Sequence, residues 1–446
     1  MTGRGLIFAL LLLFAAQEAA VANQPNIIVI LTDDMGYGDL SINGSALIKT
    51  PHIDAIASAG INFTSFYASA SLCSPSRAGL LTGRYPLRSG TAAGVIVEES
   101  ETGLPPEETT LAELLGESGY KTAMVGKWHL GNRVPFWPTH QGFEYFFGAQ
   151  HSNDMLDFAL FRNEERIESP VEQSTLTRRY TDEAVKFIRA SAGAPFFLYL
   201  AHTFPHIPLH VSDEATGKSA AGLYGDVIEE LDWSTGEIVA TLRELDLLDD
   251  TIIVFSSDNG AWWEGSGGPS RGMKAQTWDG AFRVPMLVAW PARIPGGRQT
   301  AEPAMNIDIL PTLAAAAGVT PANAEQLDGK NLLPLMSGSS DRSPHDYLYF
   351  FTDEELVGVR SGRWKLVTHA YHRRSLAALE NVESLNGFDG PYLLLFDMQG
   401  PAPERYSFAR ENPDVVRRLH GELIAARKRF DTLRTQAPIP VYPPPP

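Results

Sequence analysis

The sequence predicts an α/β fold: a mixed, mostly parallel sheet with helices on both faces, followed by a smaller C-terminal antiparallel-sheet subdomain. Two observations lead to this prediction. Up to about residue 345, continuous β-rich apolar segments alternate with helical segments, which is typical of a sheet covered on both faces. Beyond that point, short strand-like segments separated by turns take over.

Five segments of the larger part have the composition of buried strands, with β-branched and apolar residues and no alternation. They are Asn26–Leu31, Lys121–Val125, Phe196–Leu200, Thr251–Ser256 and Pro285–Trp290. The helical segments between them are Thr110–Glu117, Thr177–Ala190 and Asp226–Leu245.

The C-terminal part contains four short strand patterns, one helix and a Pro-rich tail. The strands are Tyr347–Phe351, Leu356–Arg360, Trp364–Val367 and Leu393–Phe396, and the helix is Asp414–Arg429. We therefore divide the chain into a large domain, 23–345, and a subdomain with its tail, 346–446.

The first 22 residues have the pattern of a secretory signal peptide. Arg4 precedes the apolar stretch Leu6–Ala16, and Ala20-Val21-Ala22 fits a cleavage site. An uncleaved anchor is the alternative, but the apolar stretch is short for a bilayer. We expect a protein that is secreted or periplasmic, without stable membrane insertion.

The net charge and the single cysteine narrow the function classes. The net charge of −17 argues against nucleic-acid binding, which needs a basic surface. Cys73 is the only cysteine, so no internal disulfide can form. An unpaired cysteine in an exported chain indicates a reactive or modified thiol.

Polar residues follow four of the predicted strands. In chain order they are Asp33-Asp34, then Lys127 and His129, then His206, then Asp258-Asn259. Side chains that follow parallel strands gather at one edge of the sheet. Four oxygen donors suit Ca2+ or Mg2+ rather than zinc, and an irregular shell favours Ca2+. Each pair alone could instead be an ordinary loop start.

The segment Cys73-Ser74-Pro75-Ser76-Arg77 predicts a helix that begins at the cysteine, because Pro75 suits a first helical turn. A helix N-terminus favours an anion such as sulfate. Arg77 lies one turn later, so its guanidinium could return to the side chain of residue 73. The alternative is a buried structural cysteine.

Several longer motifs accompany this segment in a fixed order. They are Leu80-Leu81-Thr82-Gly83-Arg84, Gly126-Lys127-Trp128-His129-Leu130-Gly131, His140-Gln141-Gly142-Phe143, Pro205-His206-Ile207-Pro208, Ser257-Asp258-Asn259-Gly260, 274–280, Arg283-Val284-Pro285 and 328–332. With Cys-x-Pro-Ser-Arg, they make the chain resemble the type I sulfatases, most closely those of arylsulfatase A type. The resemblance covers nearly all of the chain after residue 22.

The resemblance implies an alkaline-phosphatase-like fold and a sulfuric ester hydrolase acting on aryl or carbohydrate sulfates. It implies that a maturation enzyme oxidises Cys73 to formylglycine, whose hydrate is the nucleophile. The implied metal ligands are Asp33, Asp34, Asp258, Asn259 and residue 73. The implied residues around the diol and the sulfate are Arg77, Lys127, His129, Ser152, His206 and Lys274. The match at Ser152 is shorter than the others.

Chemistry explains these residue types. Lys127, Lys274 and the cation would stabilise the charge on sulfate as the S–O bond breaks. His206 is our first choice as the acid for the departing alkoxide, with Lys274 the second. His129 would take the proton of the second diol hydroxyl, so that sulfate leaves and the aldehyde returns. On an extended strand, Lys127 and His129 would point to the same side.

Two other functions compete with this interpretation. Related phosphonate or phosphodiester hydrolases commonly have Asp-His where this chain has Asp258-Asn259. A binding protein without activity should have lost part of the residue set, and none is lost. His202 lies outside the motifs and is not included. Trp262 and Trp263 could stack on a substrate ring or pack under a loop.

Overall fold

The computed structural model describes residues 24–372, 375–379, 392–400 and 403–432. The predicted signal peptide and most of the Pro-rich tail lie outside these residues. The strands are β1 Asn26–Thr32, β2 Ile61–Phe63, β3 Phe66–Tyr67, β4 Lys121–Lys127, β5 Tyr145–Ala149, β6 Leu160–Arg162, β7 Glu165–Glu168, β8 Phe196–Ala201, β9 Thr251–Ser257, β10 Met286–Ala289, β11 Arg298–Thr300, β12 Ala304–Met305, β13 Leu348–Thr352, β14 Glu355–Ser361, β15 Trp364–Val367, β16 His369–His372, β17 Ser375–Ala378 and β18 Leu394–Asp397.

The α-helices lie between these strands and after them. They are α1 Pro51–Ala59, α2 Cys73–Thr82, α3 Leu111–Glu117, α4 Leu176–Ser191, α5 Gly222–Glu244, α6 Asp279–Phe282, α7 Ile309–Ala316, α8 Leu333–Ser337 and α9 Pro413–Asp431.

A ten-stranded sheet forms the centre of the molecule, in the order β11-β2-β10-β9-β1-β8-β4-β5-β6-β7. The strands from β9 through β1, β8 and β4 to β5 are parallel. The predicted strand at Pro285–Trp290 is present as β10, and it runs antiparallel to β9. The structure thus confirms a mixed, mostly parallel sheet with flanking helices.

Strand β1 shows why its sequence lacks alternation. All seven of its residues are buried. Ile27, Val29 and Leu31 pack into the apolar core on one face of the sheet. Ile28 and Ile30 pack into a second core on the other face. Because helices cover both faces, both sets of side chains must be apolar.

A four-stranded antiparallel sheet, β13-β14-β15-β18, forms the predicted C-terminal unit. Leu419 and Leu423 of α9 pack with Phe350, Val359 and Leu366 of this sheet in one apolar core. The sheet therefore has its own hydrophobic support. The domain boundary near residue 345 stays a prediction.

Gly126 brings β4 and β8 into close contact just before the strand ends. Its φ is +113°, and a Cβ at this position would lie 1.8 Å from the carbonyl oxygen of Ala201. Only glycine fits this combination of conformation and contact. The requirement explains the glycine that precedes Lys127 and sets where the Lys127 side chain leaves the sheet.

Candidate active site

Four neighbouring parallel strands end at the same edge of the sheet, and each carries predicted site residues at its last residue or beyond it. Asp33 follows β1 and Asp258 follows β9, while Lys127 closes β4 and His206 lies in the loop after β8. The side chains of Asp33, Lys127 and Asp258 are completely buried. The structure therefore brings the predicted clusters together where the strand order requires.

Helix α2 places Cys73 at this edge. The helix begins at Cys73, and all ten of its residues are buried. The Sγ atom of Cys73 lies 3.6 Å from Oδ1 of Asp33. Nδ2 of buried Asn306 donates to the carbonyl oxygen of Ser76 at 3.0 Å, which anchors the first turn. Burial raises the pKa of the Cys73 thiol, so the unmodified residue is a neutral thiol.

The spacing of Arg77 and Cys73 suggested a contact between their side chains, but Arg77 forms its hydrogen bonds with other residues. Its Nε donates to Asp258 at 2.9 Å and its Nη1 to the carbonyl oxygen of Lys127 at 2.7 Å. Its Nη2 lies 3.5 Å from Asp33. Burial opposes the charge on Arg77, but Asp258 and Asp33 outweigh it and raise the pKa. Arg77 thus holds two carboxylates in place.

Two lysines enter the site from different segments. The ammonium of Lys127 contacts Asp33 and donates to Oγ of Ser152 at 3.0 Å. The ammonium of Lys274 lies 2.7 Å from Oδ1 of Asp34. Burial disfavours the charge of Lys274, but Asp34 and its neighbours outweigh it and raise the pKa. Three buried cations, counting Arg77, thus face the buried carboxylates.

Two of the predicted oxygen ligands, Asp33 and Asp34, lie in a cluster that could hold a divalent cation and that also includes His206, which was not predicted as a ligand. Ligand atoms of Asp33, Asp34, Cys73 and His206 lie within 4.8 Å of one another. Asn259 turns its amide nitrogen to Asp34 at 2.7 Å. Its Oδ1 is buried and has no hydrogen-bond partner among the described residues. A buried oxygen without a donor needs a partner such as a cation, so the donor set fits a divalent cation that prefers oxygen ligands.

The two histidines expose different ring nitrogens. Nδ1 of His206 lies 2.6 Å from the carbonyl oxygen of Ile207, which can only accept, so Nδ1 carries a proton. Its Nε2 lies 3.7 Å from Asp34. His129 is reversed: Nε2 contacts the carbonyl oxygen of Ile96 at 3.0 Å. Within the described chain, its buried Nδ1 has no partner.

His129 reaches the site in a way that the sequence did not predict. Strand β4 ends at Lys127, and His129 adopts a left-handed conformation with φ +61°. The expectation that Lys127 and His129 share one side of an extended strand is therefore wrong. Both side chains nevertheless lie at the site. Burial lowers the pKa of His129 well below its usual value, and the charges of Lys127 and Arg77 add to this effect. His129 is therefore a neutral imidazole.

A cavity of about 400 Å³ opens onto these groups. Predicted residues among those lining it are Asp34, Cys73, His129, Ser152, His206 and Lys274. Trp262 also lines the cavity, whereas Trp263 is 68% exposed. His202 is buried beneath the sheet edge, where burial lowers its pKa to about 3, and it is not among the cavity residues.

Sequence reasoning missed the outer wall of the cavity. Asp154 and Met155 follow the predicted Ser152, and Val95 comes from the loop after α2. Asp353 lies at the turn between β13 and β14, far away in sequence. The short match at His151–Asp154 could have suggested Asp154. No local sequence motif indicates that Asp353 lines the cavity.

Comparisons with known proteins agree with this geometry. The family model described as Sulfatase matches residues 25–319, and the model described as N-sulphoglucosamine sulphohydrolase, C-terminal, matches residues 273–383. Human arylsulfatase A is 36% identical, with 96% of this chain and 92% of that protein covered. Human steryl-sulfatase is also 36% identical, with 79% of this chain and 76% of that protein covered.

Solved structures share the whole architecture. The PsFucS1 sulfatase from Pseudoalteromonas sp. superimposes with a TM-score of 0.83 at 26% identity, covering 95% of this chain and 93% of that one. The strand-end residue set, the family match over most of the chain and the high-coverage relatives agree. The chain belongs to the sulfatase family and is a hydrolase of sulfate esters.

Proposed function

We propose that this enzyme releases inorganic sulfate from aryl or carbohydrate sulfate esters, using a formylglycine made from Cys73. The observation that carries the proposal is the position of Cys73. It begins a buried helix, lines the cavity and lies 3.6 Å from Asp33. A plain serine or cysteine would keep the sulfate once attacked, whereas the hydrated aldehyde offers a second hydroxyl whose deprotonation expels it.

We propose that Ca2+ is held by Asp33, Asp34, Asp258, Asn259 and the side chain of residue 73, with Mg2+ as the second choice. The unpartnered Oδ1 of Asn259 and the close ligand atoms of Asp33, Asp34 and Cys73 support this set. When bound, the cation would polarise the sulfate oxygens and favour deprotonation of the nucleophile.

Lys127 and Lys274 stabilise the sulfate group. Both ammonium groups already face carboxylates of the site, Lys127 at Asp33 and Lys274 at Asp34. Preorganised charges cost no reorganisation when negative charge develops on the sulfate oxygens. Ser152 accepts a hydrogen bond from Lys127 and fixes the position of its ammonium. Arg77 positions Asp33 and Asp258 from behind.

The histidines move protons in opposite directions. Nδ1 of His206 donates to Ile207, so only Nε2 faces the substrate, and His206 in its doubly protonated form gives the Nε2 proton to the leaving alkoxide. His129 is neutral, and its unpartnered Nδ1 can accept the proton of the second hydroxyl. This division of roles provides the acid for the first half-reaction and the base for the second.

Further proposals concern the export, the domain organisation and the maturation of the protein. We propose that residues 1–22 are a cleaved signal peptide and that the enzyme is secreted or periplasmic. We also propose a catalytic domain at 23–345, a C-terminal subdomain at 346–446 and a formylglycine-generating maturation enzyme as partner. In the described residues, no helix has the length and apolarity to span a bilayer.

Peptide mass spectrometry of active enzyme tests the nucleophile. The peptide that contains residue 73 should have the mass of formylglycine or its hydrate in a fraction that scales with specific activity across preparations. Cys73→Ala should release no sulfate from any ester and should melt at nearly the same temperature. Full activity in a sample with only unmodified Cys73 would exclude the proposed nucleophile.

A further inference from the structure

Two carboxylates on the outer wall of the cavity play no part in the reaction described above. Asp154 lies two residues after Ser152, and Asp353 lies in the turn between β13 and β14. A bridge between Ala70 and Phe351 holds that hairpin against the segment leading to Cys73. Both aspartates are exposed to solvent. The C-terminal sheet thus contributes a wall of the active-site cavity.

Neither carboxylate is used to hold the protein together. For the residues that the structure describes, no hydrogen bond or ion pair involves the side chain of Asp154 or Asp353. Other acidic groups of the site are paired, as Asp34 is with Lys274 at 2.7 Å. A carboxylate that faces a cavity must be dehydrated when a ligand enters, and this is unfavourable unless the ligand donates hydrogen bonds.

The charges of the cavity are therefore arranged in two zones. The inner zone has Lys274, which lines the cavity, and Lys127, whose ammonium contacts Asp33; both are the proposed partners of the sulfate. Of the described lining residues, Lys274 is the only lysine or arginine, so no cation accompanies the outer aspartates. A second sulfate or carboxylate on the substrate would face negative charge there. The net charge of −17 acts in the same direction at longer range.

The cavity lining also includes apolar side chains. They include Val95, Met155, Ile207 and the ring of Trp262. Such a surface suits the C–H face of a sugar ring, with hydroxyl groups at the ring edge reaching the carboxylates. A purely apolar substrate would leave both carboxylates without a donor.

We propose that Asp154 and Asp353 determine substrate specificity by selecting a sugar unit with one sulfate, uncharged elsewhere, whose hydroxyl groups donate to them. This inference rests on the proposed function, since it concerns the organic part of the same substrate. The enzyme accepts one anionic group at the inner end of the cavity and rejects a second one at the outer end. Chains that carry an anion on every unit are poor substrates.

The test compares sugar sulfates in pairs, each monosulfated sugar against the same sugar with one added sulfate or carboxylate. In the wild type, kcat/KM should favour the monosulfated member. Asp154→Asn and Asp353→Asn should each narrow this preference by about 3- to 10-fold, the size of one like-charge interaction near a surface. Raising the salt concentration should also narrow it in the wild type, because salt screens the repulsion.

Glu117→Gln is the matched control, since it removes one negative charge from the end of α3, at the opposite edge of the sheet. It should leave the preference unchanged. Thermal melts should show all three variants folded. If the two aspartate variants keep the wild-type preference, or the wild type prefers the doubly charged sugars, the inference is wrong. If the wild type releases sulfate from no ester at all, the proposed function itself fails.

Discussion

At the scale of single residues, the hydrogen bonds of His129 and His206 decide how each can move protons. A backbone carbonyl fixes the proton on Nδ1 of His206 and on Nε2 of His129. The two rings therefore present opposite nitrogens to the chemistry. Burial keeps His129 neutral by lowering its pKa, which a base requires. These features suit His129 to the proposed role of base, whereas His206 can act as the proposed acid only while its Nε2 is also protonated.

We predict that His206→Ala and Lys127→Met will differ in how they depend on the leaving group. Loss of a general acid matters most for alkyl and sugar sulfates, whose alkoxides leave poorly, and costs about 100- to 10,000-fold there. Nitrophenyl sulfate, with its acidic leaving group, should be partly rescued. Lys127→Met should slow both substrates by similar factors, because Lys127 acts on the sulfate itself.

The measurement is kcat/KM for both variants on both substrate types, with thermal melts to confirm folding. Lys127 is buried against Asp33, so its variant should also lose some stability. Equal losses for His206→Ala on good and poor leaving groups would transfer the acid role to Lys274.

Individual site residues were predictable where a strand end or a dense motif marked them. Asp33, Lys127 and Asp258 follow buried strands, and the sheet topology alone brings them together. Asp353 was not predictable, because its place in the cavity depends on how the C-terminal hairpin packs against Ala70. Contacts across more than 200 residues of chain leave no local pattern.

At the scale of elements, the segment that carries Lys274 is held on both sides. Its backbone donates to the carbonyl oxygens of Ala261 at 2.9 Å and Ser71 at 3.0 Å. Ala275 has φ +65°, a conformation that a non-glycine residue adopts only under constraint. At its far end, the ring of Trp278 contacts Phe396 of β18. The C-terminal sheet therefore supports the segment that carries Lys274, which we propose to stabilise the sulfate.

A buried ion cluster completes this support. Lys365 of β15 is fully buried, with its ammonium 2.7 Å from Glu404 and 3.4 Å from Asp279 of α6. The backbone N–H of Asp279 also donates to Glu404 at 2.5 Å. Burial raises the pKa of Glu404 to about 7, while Lys365 acts in the opposite direction. Asp279 lies five residues after Lys274, so the cluster holds the end of that segment.

We predict that Lys365→Met will lower both stability and turnover. Removing one member of a buried ion cluster leaves its partners uncompensated, which costs about 3–5 kcal/mol. Displacement of Lys274 should lower kcat by about 10- to 100-fold with a smaller change in KM. Without the ammonium, the folded-state pKa of Glu404 rises further, so the stability loss should be smaller at about pH 7 than at about pH 9.

Chemical denaturation and steady-state kinetics measure these effects. Lys365→Arg should restore part of kcat, because a cation remains. Lys428→Met, which changes an exposed lysine of α9, is the control and should behave like the wild type. A Lys365→Met enzyme with normal kcat would show that the cluster only stabilises the fold.

At the scale of the whole molecule, the fold class followed from the alternation of buried strands with helices. The predicted strand bounds in the large sheet agree with the structure to within one or two residues at most ends. The sequence did not predict that β10 runs antiparallel to β9, because the composition of an apolar strand does not indicate its direction. The outer cavity wall also required packing between two units that the sequence shows only separately.

The interior of the molecule contains a cluster of buried charged side chains at the candidate active site. Asp33, Asp34 and Asp258 are buried beside Arg77 and two lysines, so the cluster is close to neutral before any cation enters. A divalent cation at the proposed site would therefore be held by oxygen geometry more than by excess negative charge. The affinity of the site for the cation should therefore depend on each oxygen ligand, including Asn259.

We predict that exhaustive chelation will abolish turnover and lower the melting temperature, and that Ca2+ will restore both better than Mg2+ or Zn2+. A ligand at about 100 times its Kd stabilises the folded state by about 2.7 kcal/mol. Cys73→Ser cannot turn over but keeps the four oxygen ligands, so Ca2+ should still raise its melting temperature. Asn259→Ala should reduce that rise. Turnover that persists after verified metal removal, or a melting temperature indifferent to Ca2+ in Cys73→Ser, would contradict the assignment, because the second readout does not depend on catalysis.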